Sequence, residues 1–243
     1  MYKNEHNLLT ILQLEKKNKI KGGIYHKLMI EFTYNTNRIE GSMLTPEHTR
    51  SIYDTNTIGI QDGTLNVDDI IETANHFRAI DYCIDCVLDI LDTDTIKMFH
   101  AILKGGTSYS RLEWFKVGDY KSLPNEVAGK VTTPPNKVAH ELNSLIASYN
   151  QKLKVTVHDI IDFHHNFETI HPFQDGNGRV GRLVILKECL KHNIVPFIIS
   201  DTHKLYYYRG LDKYKSEPGY LVDTCLSAQD VFKSWLEYFE IYC

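Results

Sequence analysis

One stretch decides how this chain is organised: His171-Pro172-Phe173-Gln174-Asp175-Gly176-Asn177-Gly178-Arg179-Val180-Gly181-Arg182, followed directly by the apolar run Leu183-Val184-Ile185-Leu186. Glycine adopts positive φ without a Cβ penalty and asparagine tolerates it. Successive backbone N–H groups of Gly176, Asn177 and Gly178 can therefore curl into a concave anion site at the start of the following helix. The stretch predicts a phosphate-binding loop that leads into a buried helix.

The side chains of this loop add the groups that phosphate chemistry needs. Pro172 disfavours helical backbone at the residue before it, so the preceding helix should end there and present His171 from a loop edge. Near neutral pH a histidine can accept a proton from a hydroxyl. Asp175 is a hard oxygen ligand suited to Mg²⁺, and Arg179 and Arg182, three apart on one helix face, could clamp outer phosphates.

Each of these features also has an ordinary explanation. A histidine before proline is usually a turn residue, Gly-Asn-Gly is a common tight turn, and paired arginines on a helix usually face solvent. Together, in one loop before an apolar helix, they favour a functional site. His164, His165 and Glu168 lie just upstream, but no fixed ligand spacing such as H-E-x-x-H is present, so we do not expect zinc there.

Length and composition indicate an ordinary globular protein. The chain has 243 residues, 42% of them hydrophobic and 24% charged, which fits one folded domain. The net charge is -4 and no long basic run occurs, so the usual electrostatic signature of nucleic-acid binding is missing. Residues 1–22 are also too short for a helix-turn-helix domain. We expect no nucleic-acid partner.

The same sequence predicts a cytoplasmic protein without a membrane partner. No run of eighteen apolar residues occurs, and the N-terminus lacks the basic-then-apolar layout of a secretory signal. The five cysteines are an odd number spread over a long chain, which argues against a disulfide framework. Cys83 and Cys86 form a C-x-x-C without a second pair, and we expect them to be buried core thiols.

Apolar residues recur at helical spacing through most of the chain, whereas residues 107–135 lack that period. Two short extended pieces around Gly129 should form a hairpin. Thr45 and Pro46 provide a helix start. The predicted helices cover residues 8–21, 24–39, 45 onward, 66–91, 92–104, 136–151, 156–170, the segment after the loop, 202–214 and 227–242. This pattern predicts one all-α domain with a single small β-hairpin.

The loop resembles the signature of the Fic family of nucleotidyltransferases, H-P-F-x-[DE]-G-N-G-R-x-x-R, and matches it at every fixed position. Further similarity lies at Gly118-Asp119-Tyr120-Lys121, Glu126-Val127-Ala128-Gly129 and Thr133-Pro134-Pro135, which are similar to the family's flap hairpin, and at Tyr207-Tyr208-Arg209-Gly210-Leu211, which is similar to its Y-Y-x-x-L segment. The resemblance spans about residues 24–214. It implies the Fic fold, with an N-terminal helical extension at 1–23, a Fic domain at 24–216 and a C-terminal helical extension at 217–243.

The resemblance implies transfer of AMP from ATP to a Ser, Thr or Tyr hydroxyl of a protein, with release of pyrophosphate. By resemblance, His171 takes the proton from that hydroxyl and Asp175 holds Mg²⁺ between the α- and β-phosphates. The amides of residues 176–178 cradle the phosphates, while Arg179 and Arg182 hold the outer ones. Positioning and charge neutralisation would carry most of the catalysis.

The resemblance also implies roles for the flap and for a tyrosine. The flap, about residues 118–135, could pair with an extended target segment through Val127 to Gly129 by strand addition. Tyr207 would lie against the adenine. Lys121 stands where many members have arginine, and Lys215 stands where some have an asparagine that contacts the nucleotide.

A second signature lies in the predicted helix at 24–41. Thr36-Asn37-Arg38-Ile39-Glu40-Gly41 matches the family's inhibitory motif [ST]-x-x-x-E-[GN], which by resemblance places Glu40 against Arg182 and blocks the γ-phosphate contact. Gly41 marks a helix C-terminus, where the macrodipole disfavours a carboxylate, so Glu40 independently gains from a positive partner. The simpler alternative is a solvent-exposed glutamate.

Several alternatives remain at this stage. The same loop could transfer another phosphate-containing group, or remove AMP with Glu40 positioning a water. From a different class, the chain could be a nucleotide-sensing module that binds without turnover. The target is unidentified; self-modification is compatible with the fifteen tyrosines, and a homo-oligomer is an expectation from the family.

Overall fold

The computed structural model describes residues 7–59, 63–127 and 129–241. Within these ranges the chain forms ten α-helices and one two-stranded antiparallel sheet. They are α1 Leu8–Asn18, α2 Ile24–Ile39, α3 Pro46–Thr55, α4 Val67–Asp85, α5 Thr93–Lys104, β1 Glu126–Val127, β2 Lys130–Val131, α6 Pro135–Asn150, α7 Val157–Ile170, α8 Asn177–Lys191, α9 Lys204–Lys213 and α10 Gly219–Tyr238. The prediction of a helical protein with one small hairpin is confirmed.

Helix α8 lies in the centre of the core. Its apolar residues are buried, with Leu183 fully inside. Its polar residues are buried as well: Lys187 donates to Glu188 at 3.0 Å and to the Asp89 carbonyl at 2.7 Å. A helix surrounded on all sides must satisfy such groups internally. The predicted phosphate-binding loop is thus attached to the most enclosed element of the fold.

Most predicted helix starts are confirmed. Thr45 caps α3 through a capping box, with Pro46 in the first helical turn, and Thr156 caps α7 in the same way. Three boundaries lie more than three residues from the prediction. Helix α4 ends at Asp85 rather than near residue 91, because Cys86 caps it, although buried apolar residues continue beyond it.

Helix α10 begins at Gly219, eight residues earlier than predicted from residue 227. Leu221 and Cys225, four apart, are both buried, so the helical period already operates there. The helix ends at Tyr238 with Phe239 as its C-cap, so the predicted end at Tyr242 was four residues too late. Residues 1–6 of the predicted N-terminal extension and Ala128 of the predicted flap lie outside the described residues.

The cysteines behave as core residues. Cys83 and Cys86 are 0% and 5% exposed, and the Cys83 thiol donates to the Leu183 carbonyl of α8. Burial raises the pKa of the Cys83 thiol well above its usual value, so it stays protonated. The prediction of buried thiols is confirmed. Among the helices of the described ranges, none has the length and apolar content needed to cross a membrane.

Candidate active site

The loop begins where α7 ends. His171 caps that helix in the left-handed conformation, with φ of 52°, and its backbone N–H donates to the Phe167 carbonyl at 2.9 Å. Pro172 prevents the helix from continuing. Phe173 is fully buried and stacks on the His100 ring at a centroid distance of 4.0 Å. One aromatic anchor therefore fixes the loop on α5 while His171 stays at its edge.

Asn177 closes the loop on itself. Its side-chain amide donates to the Phe173 carbonyl and its amide oxygen accepts from the Phe173 N–H, both at 2.8 Å. Gly176, with φ of 83°, makes the left-handed turn directly before α8. The N-terminal backbone N–H groups of α8 follow this turn, which is the arrangement expected of an anion site.

The two glycines of the loop differ in backbone conformation. Positive φ is found at Gly176, whereas Gly178 has ordinary helical backbone in the first turn of α8. Its missing side chain matters for a different reason: a Cβ at this position would collide with the Glu40 carboxylate. The absence of a Cβ here therefore accommodates the close approach of Glu40 rather than a turn.

His171 is neutral over the physiological range. Burial, followed by the nearby Lys121 ammonium, lowers the pKa of its imidazole to about 4. Its side chain remains 16% exposed, and its Nδ1 lies 4.0 Å from Glu168 Oε2. Burial also raises the pKa of the Glu168 carboxyl to about 8. A neutral, partly accessible imidazole can accept a proton.

Asp175 is ionised and partly open to solvent. Burial acts to raise its pKa, but Arg179 and Lys104 outweigh burial and hold the pKa at about 2. The Asp175 Oδ2 atom lies 2.6 Å from Lys104 Nζ and 3.4 Å from Arg179 Nη2. The same two cations both contact Glu72 of α4.

Arg182 is enclosed by the predicted inhibitory segment. Its Nη2 lies 2.5 Å from Glu40 Oε1, its Nε donates to the Thr36 hydroxyl, and its Nη2 also donates to the Thr36 carbonyl at 3.2 Å. Burial acts to raise the pKa of Glu40, but Arg182 and Arg179 outweigh it and the pKa is lowered. Glu40 is the C-cap of α2, so the positive partner offsets the unfavourable end of the helix dipole.

Tyr207 lies behind Arg182, with its ring only 1% exposed. Its hydroxyl is 2.6 Å from His164 Nε2 and 3.5 Å from Arg182 Nη1. The neighbouring Tyr208 is 41% exposed and donates to the Ile39 carbonyl at the end of α2 at 3.1 Å. The adenine contact implied for Tyr207 stays a prediction, and Tyr208 is the more exposed residue of this pair.

The flap is fastened to the loop by polar contacts. Lys121, 3% exposed, donates through Nζ to the Thr132 hydroxyl at 2.6 Å and through its backbone N–H to the Pro172 carbonyl at 2.9 Å. Burial lowers the pKa of the Lys121 ammonium to about 8. Asn125 donates to the Phe173 carbonyl at 3.1 Å. These bonds set the hairpin beside His171.

The predicted binding residues of the flap lie at its tip. Val127 ends β1 and is 42% exposed, and Gly129 takes a φ of 74° in the turn. The two strands pair in the register Val127 with Lys130. Lys130 also forms an ion pair with Asp212 of α9. At the tip of the flap, Val127 is therefore exposed to solvent, whereas Lys130 connects the flap to α9.

The loop residues predicted from the sequence lie together with Thr36 and Glu40 in one site. Sequence reasoning missed Glu72 and Lys104, because neither belongs to a recognised motif and both fit the polar spacing of an amphipathic helix. The Asp175 carboxylate suits Mg²⁺, since it is ionised and its side chain is 44% exposed. No cluster of three or more metal-ligating side chains occurs in the described ranges.

Comparison with known proteins agrees with this geometry. Residues 90–189 match the model of the Fic/DOC family. A protein adenylyltransferase Fic from Aedes aegypti is 26% identical over 182 residues, which cover 74% of this chain and 36% of that protein. The corresponding protein from Nematostella vectensis is 25% identical over 181 residues, which cover 72% of this chain and 41% of that protein.

The chain thus spans about two fifths of the length of these curated relatives, or less. A solved structure of a Fic-domain-containing signaling protein from Bacteroides thetaiotaomicron superposes with a TM-score of 0.70 at 24% identity. The match covers 95% of this chain and 90% of that one, so the two share a fold. Residues 90–189 therefore form a Fic domain, and the chain has the Fic fold.

Proposed function

We propose that this protein is an adenylyltransferase that moves AMP from ATP to a Ser, Thr or Tyr hydroxyl of a protein. The observation that carries the proposal is the position of the neutral His171 imidazole. It lies beside a predicted anion site whose side chains include two arginines and an ionised carboxylate. The names of the relatives support the same reaction class. The target is a protein, and the chain itself is one candidate.

The proposed reaction is an in-line displacement. The His171 imidazole takes the proton from the target hydroxyl, whose oxygen forms a bond to the α-phosphorus of ATP. The bond between that phosphorus and the bridging oxygen breaks, and pyrophosphate leaves. The N–H groups of residues 176–178 and the guanidinium groups of Arg179 and Arg182 neutralise the phosphates.

Mg²⁺ would supply charge neutralisation on the α- and β-phosphates, and Asp175 would hold it. The flap would place the target, since Val127 ends an exposed strand and the flap is hydrogen-bonded to Pro172 and Phe173, directly after His171. We assign stacking against the adenine to the exposed ring of Tyr208, with Tyr207 supporting Arg182 from behind. An aromatic ring that stacks on a base adds affinity for the nucleotide, whichever base it carries.

We further propose that Glu40 restrains this activity. Its carboxylate neutralises Arg182 and lies against Gly178, where phosphate oxygens would approach the N-terminus of α8. Like charges cannot share that space without a large electrostatic cost. ATP binding in a productive position would therefore require Glu40 to leave.

Intact-mass analysis tests the function. The Glu40→Gly protein is incubated with ATP and Mg²⁺, alone and with a lysate fraction, and proteins are examined for the mass of one added AMP. We expect the addition with Glu40→Gly and none with Glu40→Gly/His171→Ala, which should still bind ATP. Undiminished labelling in the double variant would remove His171 from the base role.

The same experiment separates the alternatives. Another added mass in a panel of nucleotides would indicate transfer of a different phosphate-containing group. Loss of AMP from a pre-labelled protein, dependent on Glu40, would indicate the removal reaction. ATP binding without pyrophosphate release over hours would indicate a nucleotide sensor.

A further inference from the structure

Four charged side chains form a closed square at the start of α8. Glu72 accepts from Lys104 through Oε1 and from Arg179 through Oε2. Asp175 Oδ2 completes the square, at 2.6 Å from Lys104 Nζ and 3.4 Å from Arg179 Nη2. Positive and negative groups alternate around it, and the four formal charges sum to zero. Each member therefore touches two members of opposite charge.

Three corners of the square are withdrawn from solvent. The side chains of Lys104, Arg179 and Glu72 are 1%, 4% and 14% exposed. Buried ions that cannot be solvated are held by their partners, and removing one partner leaves an uncompensated charge. The fourth corner, Asp175, is 44% exposed and directly precedes the proposed phosphate-binding residues 176–178. Three members of the square are therefore fixed inside the protein, and Asp175 is the member that solvent or a ligand can reach.

We propose that Glu72 is a positioning residue for nucleotide binding: it fixes the Arg179 guanidinium for the outer phosphates and, through Lys104, fixes the Asp175 carboxylate. The inference rests on the proposed function. Glu72 lies in α4, outside the residues that match the family model, so no motif assigns it a role.

The geometry distinguishes Glu72 from an inhibitor. Both of its oxygens are bound by cations, and one of these cations, Lys104, is not assigned to the phosphates, so Glu72 stays paired when Arg179 contacts ATP. The Lys104 stem and the His100 ring lie beside Gly176, whereas the Glu40 carboxylate lies beside Gly178. Glu72 thus supports the loop from its α5 side and leaves the approach of phosphate to Gly178 open.

The test measures binding separately from transfer. In a Glu40→Gly background with Mg²⁺ present, calorimetry gives the dissociation constants of ATP, ADP and AMP with and without Glu72→Gln. We expect Glu72→Gln to weaken ATP and ADP about tenfold and AMP less than about twofold, because AMP lacks the outer phosphates. Equal weakening of all three nucleotides, or no weakening, would overturn the proposal.

Glu188→Gln is the matched control. Glu188 is also a buried glutamate paired with a buried lysine, on the same helix α8 but near its C-terminal end. We expect Glu188→Gln to lower Tm and to leave the three dissociation constants unchanged. A loss of ATP affinity in this control equal to that of Glu72→Gln would show that general destabilisation causes the effect.

A double-mutant cycle tests whether Glu72 acts through Arg179. In an Arg179→Met background we expect Glu72→Gln to add less than about a twofold loss of ATP affinity, because the group that it positions is gone. A full additional loss would assign Glu72 a separate role and contradict the proposal. If Glu72→Gln does not fold, Glu72→Asp keeps the charge and shortens the reach, and the same ranking of nucleotides is expected.

The two proposals can fail separately. Absence of AMP transfer by every variant, with the predicted affinity pattern intact, would refute the transferase and retain Glu72 as a positioning residue. AMP transfer with no effect of Glu72→Gln on any affinity would do the reverse. Absence of ATP binding in the Glu40→Gly protein would refute both.

Discussion

Two arginines, Arg179 and Arg182, lie one turn apart on α8, and each is paired with a glutamate from an earlier helix. Glu40 of α2 contacts Arg182, and Glu72 of α4 contacts Arg179. The Glu40 side chain is 26% exposed and that of Glu72 is 14% exposed. The pairs look equivalent as ion pairs, but their neighbours differ. Glu72 shares its charge with Lys104, while Glu40 lies against the anion site itself.

An ion pair between a glutamate and an arginine does not by itself determine the role of the glutamate. A carboxylate whose charge is compensated inside the fold can stay in place when a phosphate arrives. One that depends on the arginine alone, and occupies the phosphate space, must be displaced. We therefore expect Glu72 to support nucleotide binding and Glu40 to oppose it, although both are glutamates on arginines of one loop.

The largest expected effect is on the rate of AMP transfer, which the same Glu→Gln change should raise at position 40 and lower at position 72. Glu40→Gln should raise AMP transfer on the order of a hundredfold, and Glu72→Gln in a Glu40→Gly background should lower it about tenfold. Initial rates of radiolabel incorporation at fixed ATP measure both. Glu188→Gln serves as the control and should leave the rate unchanged. Effects of the same sign at the two glutamates would remove the distinction between them.

The loss of folding stability should be larger for Glu72→Gln than for Glu40→Gln, which is the reverse of the order expected for the rate of AMP transfer. Glu72→Gln leaves Lys104 and Arg179 buried with one partner fewer and should cost about 3 kcal/mol. Glu40→Gln should cost about 1 kcal/mol, since Glu40 is partly solvated and Arg182 keeps its bonds to Thr36. Urea denaturation at pH 7 measures both. An equal loss in the two variants would mean that Glu72 is no more integrated than Glu40.

The pKa of His171 provides a third comparison. Burial and Lys121 lower it to about 4, while the Glu40 charge acts to raise it. The imidazole should therefore stay neutral between about pH 5.5 and pH 8, and Glu40→Gln should lower its pKa further. Glu72→Gln, without a direct effect on His171, should leave it unchanged. Histidine NMR titration checks this, and a His171 pKa near 6.5 would contradict the assignment.

The smallest effect concerns the attachment of α2. Tyr208→Phe removes the hydrogen bond to the Ile39 carbonyl, next to Glu40, and keeps the ring. Loosening the end of α2 should raise AMP transfer about threefold. Tyr206→Phe is the control, because Tyr206 is an exposed neighbour, 53% accessible, on the same helix. A fall in transfer with Tyr208→Phe would show that its hydroxyl serves substrate binding instead.

The predictable parts of this protein are those encoded by local pattern. Thr45-Pro46 and Thr156 specify helix starts, Pro172 ends α7, and the period of apolar residues marks the helices. The loop motif identified His171, Asp175, Arg179 and Arg182 because their chemistry lies within one short segment. Glu40 could be predicted from the sequence because a short motif and its position at an unfavourable helix end both pointed to it.

The missed features depend on contacts between distant segments. Glu72 and Arg179 are 107 residues apart in sequence, and Lys104 and Asp175 are 71 apart. A charged residue in an amphipathic helix gives no local sign that it will be buried. The close approach at Gly178 is hidden for the same reason, because the Glu40 carboxylate that contacts it comes from the end of another helix.

Local sequence pattern was sufficient to predict the helical class, the order of the elements and the chemical content of the loop, because propensity, capping and residue type act over a few neighbouring positions. The packing of the helices, which no local pattern encodes, determines that Glu72 contacts Arg179, that Lys104 closes the square, and that Tyr208 is more exposed than Tyr207. Electrostatic partnership and burial are set by how helices pack, and packing brings together residues that sequence distance keeps apart.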